Sequence, residues 1–244
     1  MSNFLNKYKS VYDVFLDNWS YQSHFVLYLE ALMRQQTLLP TYIKEMIFAY
    51  ISGLNGCQYC KNIHAEISKK LLRDKLKIKR RALLENEVLS LSESITKRLI
   101  KEPYFKNCEN LAIYMASNKE PLLPIPKNKK ILLPKIDGNK LTFHLHTNRF
   151  KKNKFGIKEP IDKEVFPINK IQLILIPLIA FNSDLYRIGY GGGYYDKTLQ
   201  NFAKNKAGPR LWGIGYDFQR VSTNFQNKFD IRLDKVITDK KIYV

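Results

Sequence analysis

The spacing of apolar and polar positions changes character along the chain. Phe25, Leu29 and Leu32 recur at helical intervals, and after Leu39-Pro40 the stretch Tyr42-Ile-Lys-Glu-Met-Ile-Phe-Ala-Tyr-Ile51 reads as a strongly apolar helix. Gly53, Asn55 and Gly56 then mark a turn. From Gln58 to Leu84 neither proline nor glycine interrupts the pattern, and Leu71, Leu72, Leu76, Leu83 and Leu84 supply a stripe expected to be buried, so one continuous helix is expected. A further helix is expected over residues 90–99, opened by a Ser-x-x-Glu cap at Ser90.

Beyond these helices the chain reads as α/β. Leu111-Ala-Ile-Tyr-Met115, Lys130-Ile-Leu-Leu-Pro134, Leu141-Thr-Phe-His-Leu145, Leu173-Ile-Leu-Ile-Pro177 and Leu211-Trp-Gly-Ile-Gly-Tyr216 are predicted strands, with a last one near Val236. Asp137-Gly138 marks a hairpin between the second and third. His144 and His146 alternate on one strand face, and with no third ligand near in sequence they read as ordinary histidines rather than a metal pair.

One stretch carries more chemistry than the rest: Arg187-Ile-Gly-Tyr-Gly-Gly-Gly-Tyr-Tyr-Asp196, set after an apolar run. The glycines Gly189, Gly191, Gly192 and Gly193 let backbone N–H groups approach an anion, and a helix starting behind them adds its positive dipole end. Asp196 is a hard-oxygen ligand suited to Mg²⁺, while Tyr194 and Tyr195 offer ring faces and hydroxyls. The pattern matches neither the Walker nor the dinucleotide glycine signature, so alone it also fits a glycine-rich hairpin.

Composition narrows the class. A chain of 244 residues that is 45% hydrophobic and 26% charged has enough apolar material for one or two cores. No apolar run reaches the roughly 20 residues of a membrane span and no signal peptide is evident, so a cytoplasmic protein without a membrane partner is expected. The net charge of +19 is uneven: before Ser68, Lys7, Lys9, Arg34, Lys44 and Lys61 are balanced by Asp13, Asp17, Glu30, Glu45 and Glu66, so the whole excess lies from Lys69 onward. Such a field attracts nucleic acid, anionic surfaces or small polyanions. The leucines among the basic residues of 69–84 suit a packed helix better than a nucleic-acid arm. Lys69 and Arg73, one turn apart, share a face and can meet a polyphosphate together.

Three cysteines do not make a disulfide scaffold, but two are spaced Cys57-x-x-Cys60. Cys57 falls near a helix start, where the thiol pKa drops, and Cys60 and His64 share a helix face. With Glu45 they give E-x11-C-x2-C-x3-H, and over about residues 20–67 the chain resembles the alkylhydroperoxidase D-like (carboxymuconolactone decarboxylase) family. The resemblance implies a cysteine pair cycling between dithiol and disulfide while Glu45 and His64 relay protons. A metal site is the alternative for the same quartet.

Residues 69–244 resemble the 5-formyltetrahydrofolate cyclo-ligase (methenyltetrahydrofolate synthetase) family. The resemblance rests on motifs in order: Lys69-x-x-Leu-Arg73, Ala112-Ile-Tyr114 leading to Glu120, Ile131-Leu-Leu-Pro134, Gly156-Ile-Lys-Glu-Pro160, Ile176-Pro177 with Ala180-Phe181, Arg187 to Asp196, and Gln219 followed by Asp230. It implies a three-layer α/β/α domain with a mixed, largely parallel sheet over 69–244, behind a short helical segment over 1–68. It also implies ATP- and Mg²⁺-dependent closure of 5-formyltetrahydrofolate to 5,10-methenyltetrahydrofolate with release of ADP and phosphate; the basic surface would also suit a polyglutamylated folate tail on electrostatic grounds. By position, Lys69, Arg73, Arg187, Ile188, Gly189, Tyr190, Gly191, Gly192, Gly193, Tyr194 and Tyr195 would bind ATP. Glu120, Tyr194 and Tyr195 would face the folate, and Asp196 and Asp230 would hold Mg²⁺.

The sequence departs from the family pattern in three places. Pro121, Pro124 and Pro126 forbid a regular helix in the link before Lys130, Leu185 stands where glycine is usual, and Gln172 replaces an acid ahead of the buried strand. Lys197 keeps the charge of the common arginine. Two other readings stand beside the cyclo-ligase: a thiol peroxidase-like activity through Cys57 and Cys60, and a nucleotide- or folate-binding protein without turnover.

Overall fold

A computed structural model describes residues 40–244 apart from positions 55, 57, 148, 206 and 207. The helical expectation before Pro40, the turn residue Asn55 and the thiol of Cys57 lie outside the described residues. The chain divides into two compact units, Met1–Asp74 and Lys75–Val244. No helix among the described residues is long and apolar enough to cross a membrane.

In the first unit, α1 (Thr41–Leu54) is followed by α2 (Gln58–Arg81), which runs on into the second unit as the uninterrupted pattern predicts. The turn between them carries Gly56 at φ 74°, the left-handed region where glycine costs least. The Ser68 hydroxyl donates to the Tyr42 carbonyl at 2.8 Å, and His64 Nδ1 lies 2.6 Å from Glu45 Oε2. Phe48 stacks on the same imidazole with ring centres 5.4 Å apart.

The second unit is built on a seven-stranded sheet. In chain order its elements are α3 (Glu85–Leu99), α4 (Pro103–Asn107), β1 (Asn110–Ala112), β2 (Lys130–Asp137) and β3 (Lys140–Leu145), then a short hairpin of β4 (Phe150–Lys152) and β5 (Lys158–Pro160). There follow β6 (Leu173–Pro177), the pair β7 (Ala180–Phe181) and β8 (Arg187–Ile188), α5 (Tyr194–Asn205), β9 (Arg210–Ile214), β10 (Lys235–Ile237) and β11 (Ile242–Tyr243). The sheet order is β11-β10-β9-β6-β1-β2-β3. Pairs from β2 through β10 are parallel, and the two edges, β3 and β11, are antiparallel.

Period-two side-chain alternation puts successive residues on opposite faces, and here both faces are covered. Leu111, Ile131, Leu133, Leu173, Leu175, Trp212 and Ile237 pack with Ile95, Leu99 and Phe105 of α3 and α4. Ala112, Leu132, Ile174, Ile176, Leu211 and Val236 pack with Leu199 of α5 on the other side. The result is the three-layer α/β/α arrangement expected. Each fully buried large apolar side chain contributes about 1.5–3 kcal/mol, which is why the near-continuous apolar run of β6 specifies the sheet centre.

Three local expectations are corrected. The helix expected to start at Ser90 begins at Glu85, because the Glu87 carboxylate accepts the Leu84 backbone N–H at 2.7 Å and caps a turn and a half earlier. Leu84, assigned to the buried stripe, is therefore a helix-start residue and exposed. The strand expected over 111–115 ends at Ala112, where the chain leaves the sheet. The β1 to β2 link, residues 113–129, is a parallel crossover without a helix, as the prolines require. The hairpin turn at Gly138 holds φ 58° and pairs Asp137 with Lys140. His144 is buried against the Thr142 hydroxyl at 2.9 Å, while His146 packs at a tilt against Phe150.

Candidate functional site

Strand order reverses between β1 and β6: from β1 the sheet proceeds to β2 on one side, and from β6 to β9 and β10 on the other. At such a switch the connections leave in opposite directions and open a crevice beyond the carboxyl ends of the strands. Two segments enter this crevice, one following Ala112 and one following Pro177.

The first makes a tight turn at residues 117–120. Asn118 and Lys119 both sit in the left-handed region, at φ 48° and 58°. That conformation costs an L-residue about 1–2 kcal/mol, less for asparagine, so something must hold it. The Tyr114 hydroxyl donates to the Pro121 carbonyl at 2.7 Å, and the Tyr216 hydroxyl to the Lys119 carbonyl at 3.1 Å. Ser92 Oγ accepts the Leu122 N–H at 2.9 Å, and Lys119 Nζ donates to the Leu83 carbonyl. So clamped, the turn drives Glu120 inward to 3% exposure.

Every oxygen of Glu120 is engaged. Oε2 accepts the Ser117 N–H at 2.9 Å and its hydroxyl at 3.3 Å; Oε1 accepts the Tyr190 hydroxyl at 3.0 Å. Arg80 Nη1 lies 3.7 Å from Oε1. Burial raises the Glu120 carboxyl above its ordinary value, opposed by the Arg80 charge and the hydrogen bonds from Ser117 and Tyr190. Burial likewise raises the surrounding phenols: Tyr114 well above the usual range, Tyr195 and Tyr190 upward, and Tyr216 to about 12, so all stay neutral donors.

The second segment leads through β7 and β8 into the glycine stretch. Gln219 binds the end of β6, donating from Nε2 to the Leu178 and Ile179 carbonyls at 2.9 and 3.0 Å while its Oε1 accepts the Tyr216 N–H at 2.7 Å. A Cβ on Gly215 would come within 2.5 Å of Leu178 Cδ1, so the close approach needs glycine there. Ile188 is buried and pairs with Ala180 in the ladder. Gly191 and Gly193 adopt φ 108° and 65°, and Gly191 and Gly192 are exposed just before α5 starts at Tyr194.

Arg187, 7% exposed, donates from Nη2 to Asp196 Oδ2 at 3.1 Å and lies over the Tyr195 ring. Its Nη1 is buried without a protein partner. The Ile231 N–H donates to Asp196 Oδ1 at 3.1 Å, which draws the 230–231 segment to the start of α5. Asp230 itself accepts the Asn227 N–H at 2.8 Å. Lys197 Nζ reaches the Gly192 carbonyl at 3.0 Å, and Tyr194 packs edge-on against Phe155.

Among the described residues no three His, Cys, Asp or Glu side chains gather into a metal cluster. Mg²⁺ is commonly held by one or two carboxylates together with phosphate oxygens and water. The donor set of Asp196 and Asp230 suits an ion that arrives with a phosphate chain.

Of the sequence-expected site residues, Glu120, Arg187, the glycine stretch, Tyr190, Tyr194, Tyr195 and Asp196 gather around the crevice. Lys69 and Arg73 lie in the first unit, on α2, with Lys69 Nζ 3.2 Å from Glu66. There Glu45 and His64 are joined, and Cys60 lies on α2. Arg80, Ser117 and Tyr216 have no site role in the sequence reading, and Tyr114 enters it only as a motif residue ahead of Glu120. Arg80 carried a readable signal: with Leu72 and Leu76 it stands at i, i+4 and i+8, on the buried stripe rather than with its exposed basic neighbours.

The profile of the 5-formyltetrahydrofolate cyclo-ligase family matches residues 65–239. The 5-formyltetrahydrofolate cyclo-ligase of Escherichia coli K12 is 29% identical over 178 residues, covering 68% of this chain and 97% of its own. That of Mycoplasma genitalium is 32% identical, covering 70% and 98%. The NMR structure of Aquifex aeolicus 5,10-methenyltetrahydrofolate synthetase superposes with a TM-score of 0.62 at 30% identity, over 71% of this chain and 91% of that one. The Mycoplasma pneumoniae synthetase superposes with a TM-score of 0.58 at 26% identity, over 70% and 98%. A profile that spans strands β1 to β10, the Glu120 turn and the glycine stretch in one match places this chain in the 5-formyltetrahydrofolate cyclo-ligase family.

Proposed function

We propose that the chain converts 5-formyltetrahydrofolate and ATP to 5,10-methenyltetrahydrofolate, ADP and phosphate. The observation that carries this reading is the pairing of an anion-ready half with a carboxylate half at one switch point. On one side are the glycine N–H groups, the start of α5 and the spare buried Nη1 of Arg187; on the other is Glu120, joined to the loop through Tyr190.

In this reading the terminal phosphoryl group of ATP passes to the formyl oxygen, N10 attacks the activated carbon, and phosphate leaves with that oxygen as N10 loses its proton. Such a reaction asks the protein chiefly for alignment and charge neutralisation. Arg187 and the glycine amides hold the phosphates, the role that the family motif also assigns to Lys69 and Arg73. Asp196 and Asp230 hold Mg²⁺, which supplies neutralisation of phosphate charge. Tyr194, Tyr195 and Glu120 face the folate. A recess of about 240 Å³ between residues 115–117 and the β4–β5 hairpin, with Lys152 and Lys158 on its wall, suits the glutamyl tail. Salt-sensitive tightening of binding as glutamates are added would support that assignment; equal affinity for all tail lengths would remove it.

Methenyl-folate formation, followed by absorbance in the purified full chain with ATP and Mg²⁺, tests the activity. Binding of ATP with no product would leave a nucleotide-binding protein without turnover.

The 2.6 Å contact between Glu45 and His64 favours a second reading for the first unit, a proton relay serving Cys57 and Cys60. Peroxide consumption that persists unchanged when both cysteines are replaced would rule it out.

A further inference from the structure

We infer that Arg80 is a positioning residue that holds the Glu120 carboxylate and the Tyr190 hydroxyl on one buried guanidinium, so that a single side chain sets both halves of the crevice. The inference rests on the reading of the crevice as an ATP and folate site. Arg80 is 1% exposed, and it reaches three segments that are remote in sequence. Nη1 donates to the Leu178 carbonyl at 3.4 Å, at the end of β6, and lies 3.7 Å from Glu120 Oε1; Nη2 donates to the Tyr190 hydroxyl. Its guanidinium also sits 5.5 Å from the centre of the Tyr190 ring.

This arrangement costs desolvation of a charge, and Nε is left buried without a partner. An apolar residue continuing the Leu72 and Leu76 stripe would fill the same place without that cost, so the stripe alone does not account for arginine. What arginine supplies is a planar fork that can meet a carboxylate, a carbonyl and a hydroxyl at fixed angles, which a lysine or an apolar side chain cannot do.

The groups facing Glu120 are Arg80 from α2, Ser117 and Tyr114 from the segment after β1, Tyr190 from the glycine stretch, Tyr195 from α5 and Tyr216 from the segment after β9. Arg80 is the one cation among these groups. Its removal therefore leaves a buried carboxylate held only by neutral donors, and frees Tyr190 from its second anchor.

The test uses the full chain and the variants Arg80→Ala, Arg80→Lys and Tyr190→Phe. Two quantities are read: the acid limb of kcat/KM for the folate substrate, and the titration of Glu120 in ligand-free protein by carbon-13 carboxyl NMR, its signal identified by loss in Glu120→Gln. Arg80→Ala is expected to lower kcat/KM about 100-fold at neutral pH through misplacement of reacting groups. The same variant should raise both the acid limb and the Glu120 midpoint by about one pH unit or more. Arg80→Lys should bring both midpoints back toward wild type while recovering only part of the rate. Tyr190→Phe should move them the same way as Arg80→Ala by a smaller amount. Unmoved midpoints in Arg80→Ala, with only a lower melting temperature, would reduce Arg80 to a structural residue and overturn the inference. If Arg80→Ala does not fold, Arg80→Lys and Tyr190→Phe decide it: unmoved midpoints in both, with kcat/KM unchanged, overturn it. Failure of the wild-type chain to make methenyl-folate would refute the functional reading, and the ligand-free titration would still decide the role of Arg80.

Discussion

The two walls of the crevice are built on opposite principles. The glycine stretch has hydrogen-bonding capacity to spare: a helix starts behind it, and the buried Nη1 of Arg187 has no protein partner. The Glu120 turn has none to spare, since its carboxylate is saturated and its left-handed residues are clamped by Tyr114, Tyr216, Ser92 and Lys119. A wall meant to receive a phosphate chain benefits from donors left unmet until the ligand arrives. A wall that fixes one carboxylate benefits from being finished before the ligand arrives, because strain at the turn persists only if its surroundings over-determine it.

This contrast can be broken at either wall. The largest effect is expected from Arg187→Ala, which removes the spare donor and releases Asp196: turnover should fall about 100- to 1000-fold. Steady-state kinetics with ATP varied would measure it, and a loss under tenfold would mean that Nη1 is not awaiting a phosphate.

Glu120→Ala should chiefly affect stability, by about 3–5 kcal/mol in urea unfolding, because Arg80 is left as an uncompensated buried charge. Glu120→Gln separates charge from shape through pH. The folded-state carboxyl is raised above its unfolded value, so the folded chain binds the extra proton. Its contribution to stability is then full below the unfolded carboxyl range, about pH 4.3, and is lost as pH rises through the higher folded value. Glu120→Gln should flatten that segment of the stability profile; an unchanged slope would show that the segment belongs to other carboxyls.

The smallest effects test the strain. Asn118 is exposed, so Asn118→Gly should lie within about 0.5 kcal/mol of wild type, whereas Asn118→Val should cost about 1–2 kcal/mol for the left-handed backbone. Equal stabilities by chemical denaturation would show that the turn relaxes rather than resists.

What could be read from the sequence follows the same division. Gly191 and Gly193 announce themselves because their backbone lies at φ 108° and 65°, and Gly192 because a Cβ there would meet the Tyr194 ring. The strands of the sheet centre announce themselves because burial on both faces demands continuous apolar runs. The Glu120 clamp does not, since its parts come from residues 92, 114, 119 and 216, which only the fold brings together. The start of α3 was missed for a related reason: Leu84 has no capping side chain, and the cap comes from Glu87 reaching back. Leu185 is instructive in the other direction. At φ 64° it occupies a backbone state that suits glycine, yet its side chain is 1% exposed in the core, where the apolar contact offsets the strain.

Pro177 ends β6 with no N–H to give, at the level where the β6–β9 ladder reaches Ile214. Gln219 takes over from there, its side-chain amide donating to two successive carbonyls and receiving the Tyr216 N–H. One side chain thus serves as an extra rung beyond the last backbone rung. The β6–β9 seam is stitched past the end of its ladder, and the spacing of the two segments that leave it is set there by the length of a glutamine.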